Sequence, residues 1–263
     1  MNQRAPNCAV QALTYNRPPC CNHTTLSRTH IMQLLFVHGS GSSAESFRFQ
    51  LAAFPSARAV NLPGHPHGEL LPSVGACSAW LHEYVQREAL RDLVLCGHSL
   101  GGAVTLQYAL DYPDDLRGIM LIGSGARLKV HPRFLEPLEV AVQDPTAWNA
   151  QNGGFDRVAP ALAEIMNRRR IENGPRAMLN DMRACNDFDI MSRIAEITLP
   201  AFAIVGTDDV MTPPKYSTFL AAQLPNCTMQ EVPGATHWGY AEQPDLYNAA
   251  IAQFIATLDA RKT

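Results

Sequence analysis

A serine between glycines stands where an apolar run meets a helical pattern, in the stretch LVLCGHSLGGAVTLQYAL. Gly97 and Gly101 lie two residues on either side of Ser99. Where a strand turns sharply into a helix, the residues at these two places crowd together, and glycine is needed at both. The helix that follows would direct its amino-terminal N–H groups toward the serine and favour negative charge there. The pattern therefore predicts a nucleophilic Ser99 hydroxyl above the edge of a sheet.

A nucleophilic serine needs a base to take its proton and an acid to orient that base. Candidates for both come later in the chain, since GTDD carries Asp208 and Asp209, and GATHWGYAEQP carries His237. Each group stands just past the end of a predicted strand, as Ser99 does, so we expect them to meet at one edge of a parallel sheet. The competing interpretations are an ordinary acidic turn and a buried histidine, and the agreement of three placements favours catalysis. The spacing by itself does not choose between the two aspartates.

Around these residues, short apolar runs alternate with helical patterns. The predicted strands are MQLLFVHG, ARAVNLPGH, DLVLCG, LRGIMLIGSG, PAFAIVGTDD and CTMQEVPGATH. The predicted helices lie at 74–90, 99–112, 214–224 and 242–259. Such alternation is typical of an α/β protein whose mostly parallel sheet is flanked by helices. Between Gly125 and Arg193 the pattern is mostly helical, which predicts a helical insertion at the carboxyl edge of the sheet.

The predicted organisation has four segments. They are an N-terminal extension at 1–31, a first part of the core at 32–125, a helical cap at 126–192 and a second part of the core at 193–263. The extension is polar, is broken by prolines and lacks the apolar core of a signal peptide. Disorder is one interpretation of it, and Met32, directly before a predicted strand, is a hypothetical start of the functional fold.

Composition restricts the class of protein. Of 263 residues, 46% are hydrophobic and 17% are charged, which is typical of a soluble globular protein. The net charge of −3 supports neither a nucleic-acid partner nor a membrane partner, and no apolar run approaches the ~20 residues that span a bilayer. The seven cysteines fit no disulfide scaffold, so we expect free thiols and a cytoplasmic location. His65 and His67 lack further ligands at suitable spacing, so neither a metal nor another cofactor is expected.

Five pieces of the sequence together resemble the α/β-hydrolase superfamily, over essentially all of residues 32–258. They are FVHGSGSS, NLPGHPHG, GHSLGG, GTDD and GATHWGYAEQP. The resemblance implies the α/β-hydrolase fold with a helical cap, Ser99 as the nucleophile and His237 as the base. In the G-x-x-D turn of the superfamily the acid comes three residues after the glycine, which implies Asp209 and keeps Asp208 as the alternative.

The resemblance also implies where an oxyanion hole lies. One backbone N–H belongs to Leu100, directly after the nucleophile, and the other to Ser40, which follows His-Gly in HGSG. Such donors stabilise the charge that develops on a carbonyl oxygen, and losing one typically raises the barrier by about 3 kcal/mol. His38 in the same motif is expected to be a structural residue of the loop rather than a second base.

The cap is expected to set the choice of substrate. Most of its apolar side chains should pack a small core within the cap, and a minority, with Trp238, should form an apolar acyl pocket. Relatives of similar shape include pimeloyl-carrier methyl esterases. Four cap arginines have two interpretations, a solvated helix face, which is favoured, or a docking patch for an acidic acyl carrier or a substrate carboxylate. They are Arg168, Arg169, Arg170 and Arg176.

The leading functional prediction is a cofactor-free serine hydrolase that cleaves a carboxylic ester, thioester or lactone through an acyl-enzyme intermediate. Its partner would be a small-molecule ester or acyl substrate. Carbon–carbon bond hydrolases, perhydrolases and hydroxynitrile lyases use the same three residues, and fold analogy does not exclude them. A non-catalytic small-molecule-binding protein on the same scaffold is the alternative from a different class, and the complete set of residues argues against it.

Overall fold

One parallel sheet organises the chain. The computed structural model describes residues 32–149 and 153–260, so the predicted extension at 1–31 lies outside the described residues. The strands are β1 (Gln33–Val37), β2 (Arg58–Val60), β3 (Leu93–His98), β4 (Leu116–Ile122), β5 (Ala201–Gly206) and β6 (Cys227–Val232). Their order in the sheet is β2-β1-β3-β4-β5-β6, and every neighbouring pair is parallel. The predicted α/β architecture is confirmed.

Helices connect the strands and cover the sheet. They are α1 (Arg48–Ala53), α2 (Val74–Arg87), α3 (Leu100–Asp111), α4 (Pro132–Gln143), α5 (Pro145–Asn149), α6 (Pro160–Asp187), α7 (Pro214–Gln223), α8 (Gly239–Glu242) and α9 (Pro244–Ala260). The closing helix differs from its predicted range because the chain breaks at Gln243, a residue whose position before Pro244 disfavours helical geometry. In the part of the chain that the structure describes, no helix combines the length and apolar character needed to cross a bilayer.

Successive side chains of the central strands point to opposite faces of the sheet, and both faces are covered. Leu35 and Leu95 pack in the hydrophobic cluster that includes residues of α2, α3 and α7. Phe36 and Cys96 pack in the cluster on the other face, with residues of α9. Burial on both faces explains why β1 and β3 are continuous apolar runs in the sequence rather than alternating ones.

The interval between β4 and β5 holds α4, α5 and α6, which we call the cap. Its own hydrophobic cluster is small and consists of Leu138, Ala141, Trp148, Leu179 and Met182. Other apolar side chains of this interval belong instead to a cluster of the sheet, and they are Phe155, Val158, Leu162 and Met166. These contacts hold the cap against the sheet. Helix α6 is broken at Gly174, which has φ 74° and ψ 172°.

Candidate active site

Ser99 occupies a strained turn between β3 and α3. Its φ of 53° and ψ of −115° are unusual for a residue with a side chain. A Cβ on Gly97 would lie 2.0 Å from the carbonyl oxygen of Gly101, and one on Gly101 would lie 2.1 Å from a carbonyl oxygen of β1. The turn is stabilised by two hydrogen bonds, from the Ser99 N–H to the Ile122 carbonyl at 3.0 Å and from the Ser124 hydroxyl to the Ser99 carbonyl at 2.8 Å. Glycine is therefore required at positions 97 and 101, because a Cβ at either would clash with a backbone carbonyl group.

Asp209 and His237 form a buried pair at the ends of β5 and β6. The Oδ2 atom of Asp209 lies 2.8 Å from Nδ1 of His237, and the two side chains are 0% and 7% exposed. The other carboxylate oxygen accepts the N–H groups of Met211 at 2.9 Å and Thr212 at 2.8 Å. Since the carboxylate accepts from Nδ1, the proton of neutral His237 sits on that nitrogen, and Nε2 is left as the basic atom.

The surroundings of Asp209 keep it ionised. Burial alone would raise the pKa of its carboxyl group, but the charge of His237 and the hydrogen bonds from His237 and Thr212 outweigh burial and hold the pKa below its ordinary value. The neighbouring Asp208 is half exposed and lies 3.3 Å from a guanidinium nitrogen of Arg157. The structure thus places Asp209, and not Asp208, against His237.

His98 connects the serine turn to the loop of His237. Its Nε2 donates a hydrogen bond of 2.9 Å to the carbonyl oxygen of His237, and the two imidazole centroids are 4.6 Å apart. Burial lowers the pKa of His98 well below its ordinary value, so the ring is neutral. Because His98 directly precedes Ser99, this bond sets the separation between the serine turn and the histidine loop.

The HGSG loop packs directly on the serine turn. A Cβ on Gly39 would lie 3.1 Å from the Cβ of Ser99, so glycine allows the approach. Among the described residues, the N–H of Ser40 has no hydrogen-bond acceptor, and the N–H of Leu100 has none outside its own helix. Ser40 and Ser99 line the same cavity. These two backbone donors are therefore available to a bound group.

His38 is held as a structural residue of this loop. Its Nε2 accepts the N–H of Leu62 at 3.0 Å, and its Nδ1 donates to the carbonyl oxygen of Gly39 at 2.9 Å. Complete burial, together with the nearby His65, lowers the pKa of His38 to about 3. The neutral ring is fully engaged by backbone groups and has no nitrogen left for catalysis.

A second buried ion pair was not anticipated from the sequence. Nε2 of His65 lies 2.8 Å from Oδ2 of Asp181 in the cap, with side chains 2% and 5% exposed. The same carboxylate oxygen accepts the N–H of Gly41 at 2.8 Å. The residue types carried no signal for this pairing, because 116 positions separate the partners. Within 32–149 and 153–260, no group of three or more histidine, cysteine, aspartate or glutamate residues could hold a metal ion.

Two cavities lie between the cap and the sheet. The larger, of about 630 Å³, reaches His237 and is lined by aromatic and methionine side chains together with polar and charged ones. That lining includes Phe134, Trp148, Phe155, Met166, Met178, Met182 and Trp238. The smaller, of about 200 Å³, reaches Ser99. The two cavities adjoin, because both are bordered by Ser40, Arg133, Phe134, Met182, Val210 and Met211.

The predicted arginine patch on the cap is largely engaged within the chain. Arg169 pairs with Glu45 and with Glu172, and Arg168 lies 3.8 Å from Glu172. Arg170 is buried, with its guanidinium carbon 4.3 Å from the centroid of the Trp148 ring. These three guanidinium groups have partners inside the cap and the adjoining loop, so their arrangement favours a structural role over a docking role.

The site and fold together define the class of protein. A sequence model described as the alpha/beta hydrolase family matches residues 34–250. The chain therefore belongs to the alpha/beta hydrolase family, as its motifs indicated.

Its relatives have diverse hydrolytic activities. The "Putative carbamate hydrolase RutD" of Azorhizobium caulinodans is 24% identical over 86% of this chain and 92% of its own length. The 2-hydroxy-6-oxononadienedioate/2-hydroxy-6-oxononatrienedioate hydrolase of Burkholderia vietnamiensis is 26% identical over 84% and 86%. A solved thermophilic esterase is 28% identical, covers 86% of this chain and 90% of its own, and has a TM-score of 0.74. The particular reaction differs among these proteins.

Proposed function

We propose that the protein is a carboxylesterase-like serine hydrolase that cleaves a carboxylic ester, thioester or lactone without a cofactor. The observation that carries this proposal is the buried Asp209–His237 pair, joined through His98 to the strained turn of Ser99. A buried carboxylate–imidazole pair with a defined tautomer, next to a serine in strained geometry, has the parts that nucleophilic catalysis needs.

In the proposed reaction Ser99 attacks the acyl carbon. Nε2 of His237 takes the hydroxyl proton as the new C–O bond forms, and then donates that proton to the departing alcohol or thiol as its bond to carbon breaks. Water enters the vacated space and loses a proton to His237. The resulting hydroxide attacks the acyl-enzyme, and the proton returns to Ser99 as the acid product departs. Asp209 remains ionised throughout and stabilises the imidazolium.

The negative charge that develops on the carbonyl oxygen needs donors. The N–H groups of Ser40 and Leu100 are suitable because both adjoin the cavity-facing serine turn and both lack competing acceptors among the described residues. The positive end of the α3 dipole adds to their effect. The thiol of Cys185 lies 3.7 Å from the Ser40 hydroxyl, and burial raises its pKa to about 12, so it adds no charge to the site.

The cavities support a substrate with a sizeable apolar portion. A volume of about 630 Å³ with aromatic and thioether walls suits an extended or cyclic apolar acyl or alcohol group. Pimeloyl-[acyl-carrier protein] methyl ester esterase of Neisseria meningitidis serogroup B is 23% identical over 86% of this chain. An acidic acyl carrier is therefore a secondary proposal for the partner, with the exposed Arg176 as a candidate contact.

A carbon–carbon bond hydrolase is the second candidate. It is favoured by the Burkholderia vietnamiensis relative, which is named a hydrolase of 2-hydroxy-6-oxononadienedioate and 2-hydroxy-6-oxononatrienedioate and which aligns over 84% of this chain. The same triad would serve, because water must still be activated and a carbonyl oxygen stabilised. A purely binding role is the remaining alternative, and reaction with a serine-directed probe separates it from both.

The test is hydrolysis of p-nitrophenyl esters from acetate to laurate by the wild type and by Ser99→Ala. We expect activity that peaks at one chain length and disappears in the variant. Labelling by a fluorophosphonate should occur in the wild type only. If folded wild-type protein neither turns over an ester nor reacts with the probe, the proposal is wrong and the binding role takes its place.

A further inference from the structure

The smaller cavity above Ser99 has a cationic rim. Lys129, Arg133 and Lys215 line it together with His131, and none of its described lining residues is an aspartate or a glutamate. Lys129 in the loop after β4 and Arg133 in the first turn of α4 are four positions apart, whereas Lys215 lies in the first turn of α7. The fold therefore brings the distant Lys215 to a cavity whose other two permanent cations are neighbours in the sequence.

These cations have no acidic partner among the residues that the structure describes. Across the described residues, none of the three has an aspartate or glutamate oxygen within 4.0 Å. The ammonium of Lys129 donates to the carbonyl oxygen of Asn186 at 2.8 Å, a neutral acceptor. The guanidinium carbon of Arg133 lies 4.7 Å from the ring centroid of Phe134. Such contacts position the cations but leave their charge available to a ligand.

Two helix ends add to the positive field. Helix α4 has 12 residues with His131 as its N-cap, and α7 has 10 residues with Pro213 as its N-cap. Both N-cap residues line the smaller cavity, so the positive ends of two helix dipoles meet there. This effect is independent of the three side chains and has the same sign.

The other arginines near the site differ from Arg133. Arg157, on the larger cavity, lies 3.3 Å from Asp208, and Arg169 pairs with Glu45. Arg133 lines both cavities, whereas Lys129 and Lys215 line the smaller and not the larger. Lys129 and Lys215 also line an adjoining depression of about 240 Å³, so they stand between the cavity that reaches Ser99 and a second hollow.

We propose that the smaller cavity binds a carboxylate of the substrate, so that the preferred esters carry an anionic group close to the scissile bond and an apolar group in the larger cavity. This inference deepens the proposed function and rests on it for the role of Ser99. Arginine binds a carboxylate through two parallel hydrogen bonds, and the two lysines add positive charge at the rim of the cavity.

Matched pairs of esters test the proposal. Monophenyl adipate and phenyl hexanoate share a chain length and differ by a carboxylate on the acyl side. 4-Acetoxybenzoate and 4-acetoxybenzamide differ by a carboxylate on the alcohol side. We expect wild-type kcat/KM to favour the charged member of at least one pair by tenfold or more. In Arg133→Gln and Lys215→Gln this preference should fall at least fivefold.

The control variant is Arg183→Gln, which removes a cap arginine that pairs with Glu139 at 3.0 Å and lines neither cavity. It should keep the wild-type preference. The proposal is overturned if the neutral esters are preferred or if Arg133→Gln and Arg183→Gln change the preference equally.

Calorimetric titration of Ser99→Ala with monophenyl adipate and with phenyl hexanoate separates this inference from the proposed function. If the wild type hydrolyses neither ester and does not react with the fluorophosphonate, the proposed function fails, and the binding experiment still decides the inference. Tighter binding of the adipate, weakened at least fivefold by adding Arg133→Gln, supports a carboxylate site. Equal binding of the two esters overturns it.

Discussion

His65 and Asp181 join the loop after β2 to the cap through a 2.8 Å contact between Nε2 and Oδ2, and both side chains are buried. The same oxygen of Asp181 accepts the N–H of Gly41, the residue directly after the proposed oxyanion donor Ser40. One carboxylate therefore holds three separate segments, the HGSG loop, the NLPGHPHG loop and α6. The position of the Ser40 N–H depends on a residue of the cap, so a change in the cap should also move the HGSG loop.

We expect Asp181→Asn to reduce both stability and turnover. Breaking a buried pair leaves a charge or a donor without compensation and costs about 3 kcal/mol or more. Loosening Gly41 should also displace the Ser40 N–H, so kcat should fall further than KM rises. Urea unfolding and ester kinetics measure the two effects. The control is Asp187→Asn, an exposed position of the same helix. Equal urea midpoints for the two variants would contradict this account.

The two adjacent aspartates should behave very differently. We expect Asp209→Asn to lower kcat by about three to four orders of magnitude, because an amide no longer holds His237 in the required tautomer. Asp208→Asn should change kcat by less than about threefold, since that side chain is half exposed and pairs with Arg157. Circular dichroism establishes that both variants are folded. Comparable losses of kcat in the two variants would contradict the assignment of Asp209 as the residue that orients His237.

The strained geometry of Ser99 predicts a stability difference between two inactive variants. Glycine adopts the φ of 53° without the steric penalty that a Cβ incurs, whereas alanine retains that penalty. After allowance for the greater unfolded-state entropy of glycine, Ser99→Gly should be more stable than Ser99→Ala by about 1 kcal/mol. At a regular helical position of α3, replacing alanine by glycine in Ala103→Gly should lower the free energy of unfolding. A less stable Ser99→Gly would argue against strain at the turn.

Stability should depend on pH at both ends of the range. For His65, burial alone would lower the pKa, but the hydrogen bond and charge of Asp181 outweigh it and raise the pKa above its ordinary value. Its contribution to stability is then complete below about pH 6.5 and is lost as the pH rises through the raised pKa. For Asp209, whose pKa is lowered, the contribution is present above about pH 4 and is lost as the pH falls through the folded-state value.

Urea midpoints from pH 3 to 9 test these signs. The difference between the wild type and Asp181→Asn should be largest below about pH 6.5 and should shrink as the pH rises, because only the wild type has the raised pKa of His65. A difference that stays constant or grows toward alkaline pH would be incompatible with an imidazolium–carboxylate pair.

Local sequence determined the framework of the site. The buried strands are recognisable as apolar runs because both faces of the sheet are covered. The serine turn is recognisable from its two glycines, because a side chain at Gly97 or Gly101 would lie about 2 Å from backbone atoms. The helix α1 was not apparent, since six residues carry too little periodicity. The break before α9 was also missed, although Pro244 was a usable signal.

Tertiary structure alone decided which of the candidate groups meet. Asp208 and Asp209 have the same chemistry and differ by one position, and only the path of the chain after β5 turns one toward His237 and the other toward Arg157. Arg169 of the cap pairs with Glu45, more than a hundred residues away, and the cationic rim joins residues 129–133 to the distant Lys215. The spacing of residues along a chain predicts contacts within one turn or one strand. The charge and shape of a site depend on packing between segments that are far apart in the sequence, and residue spacing does not predict that packing.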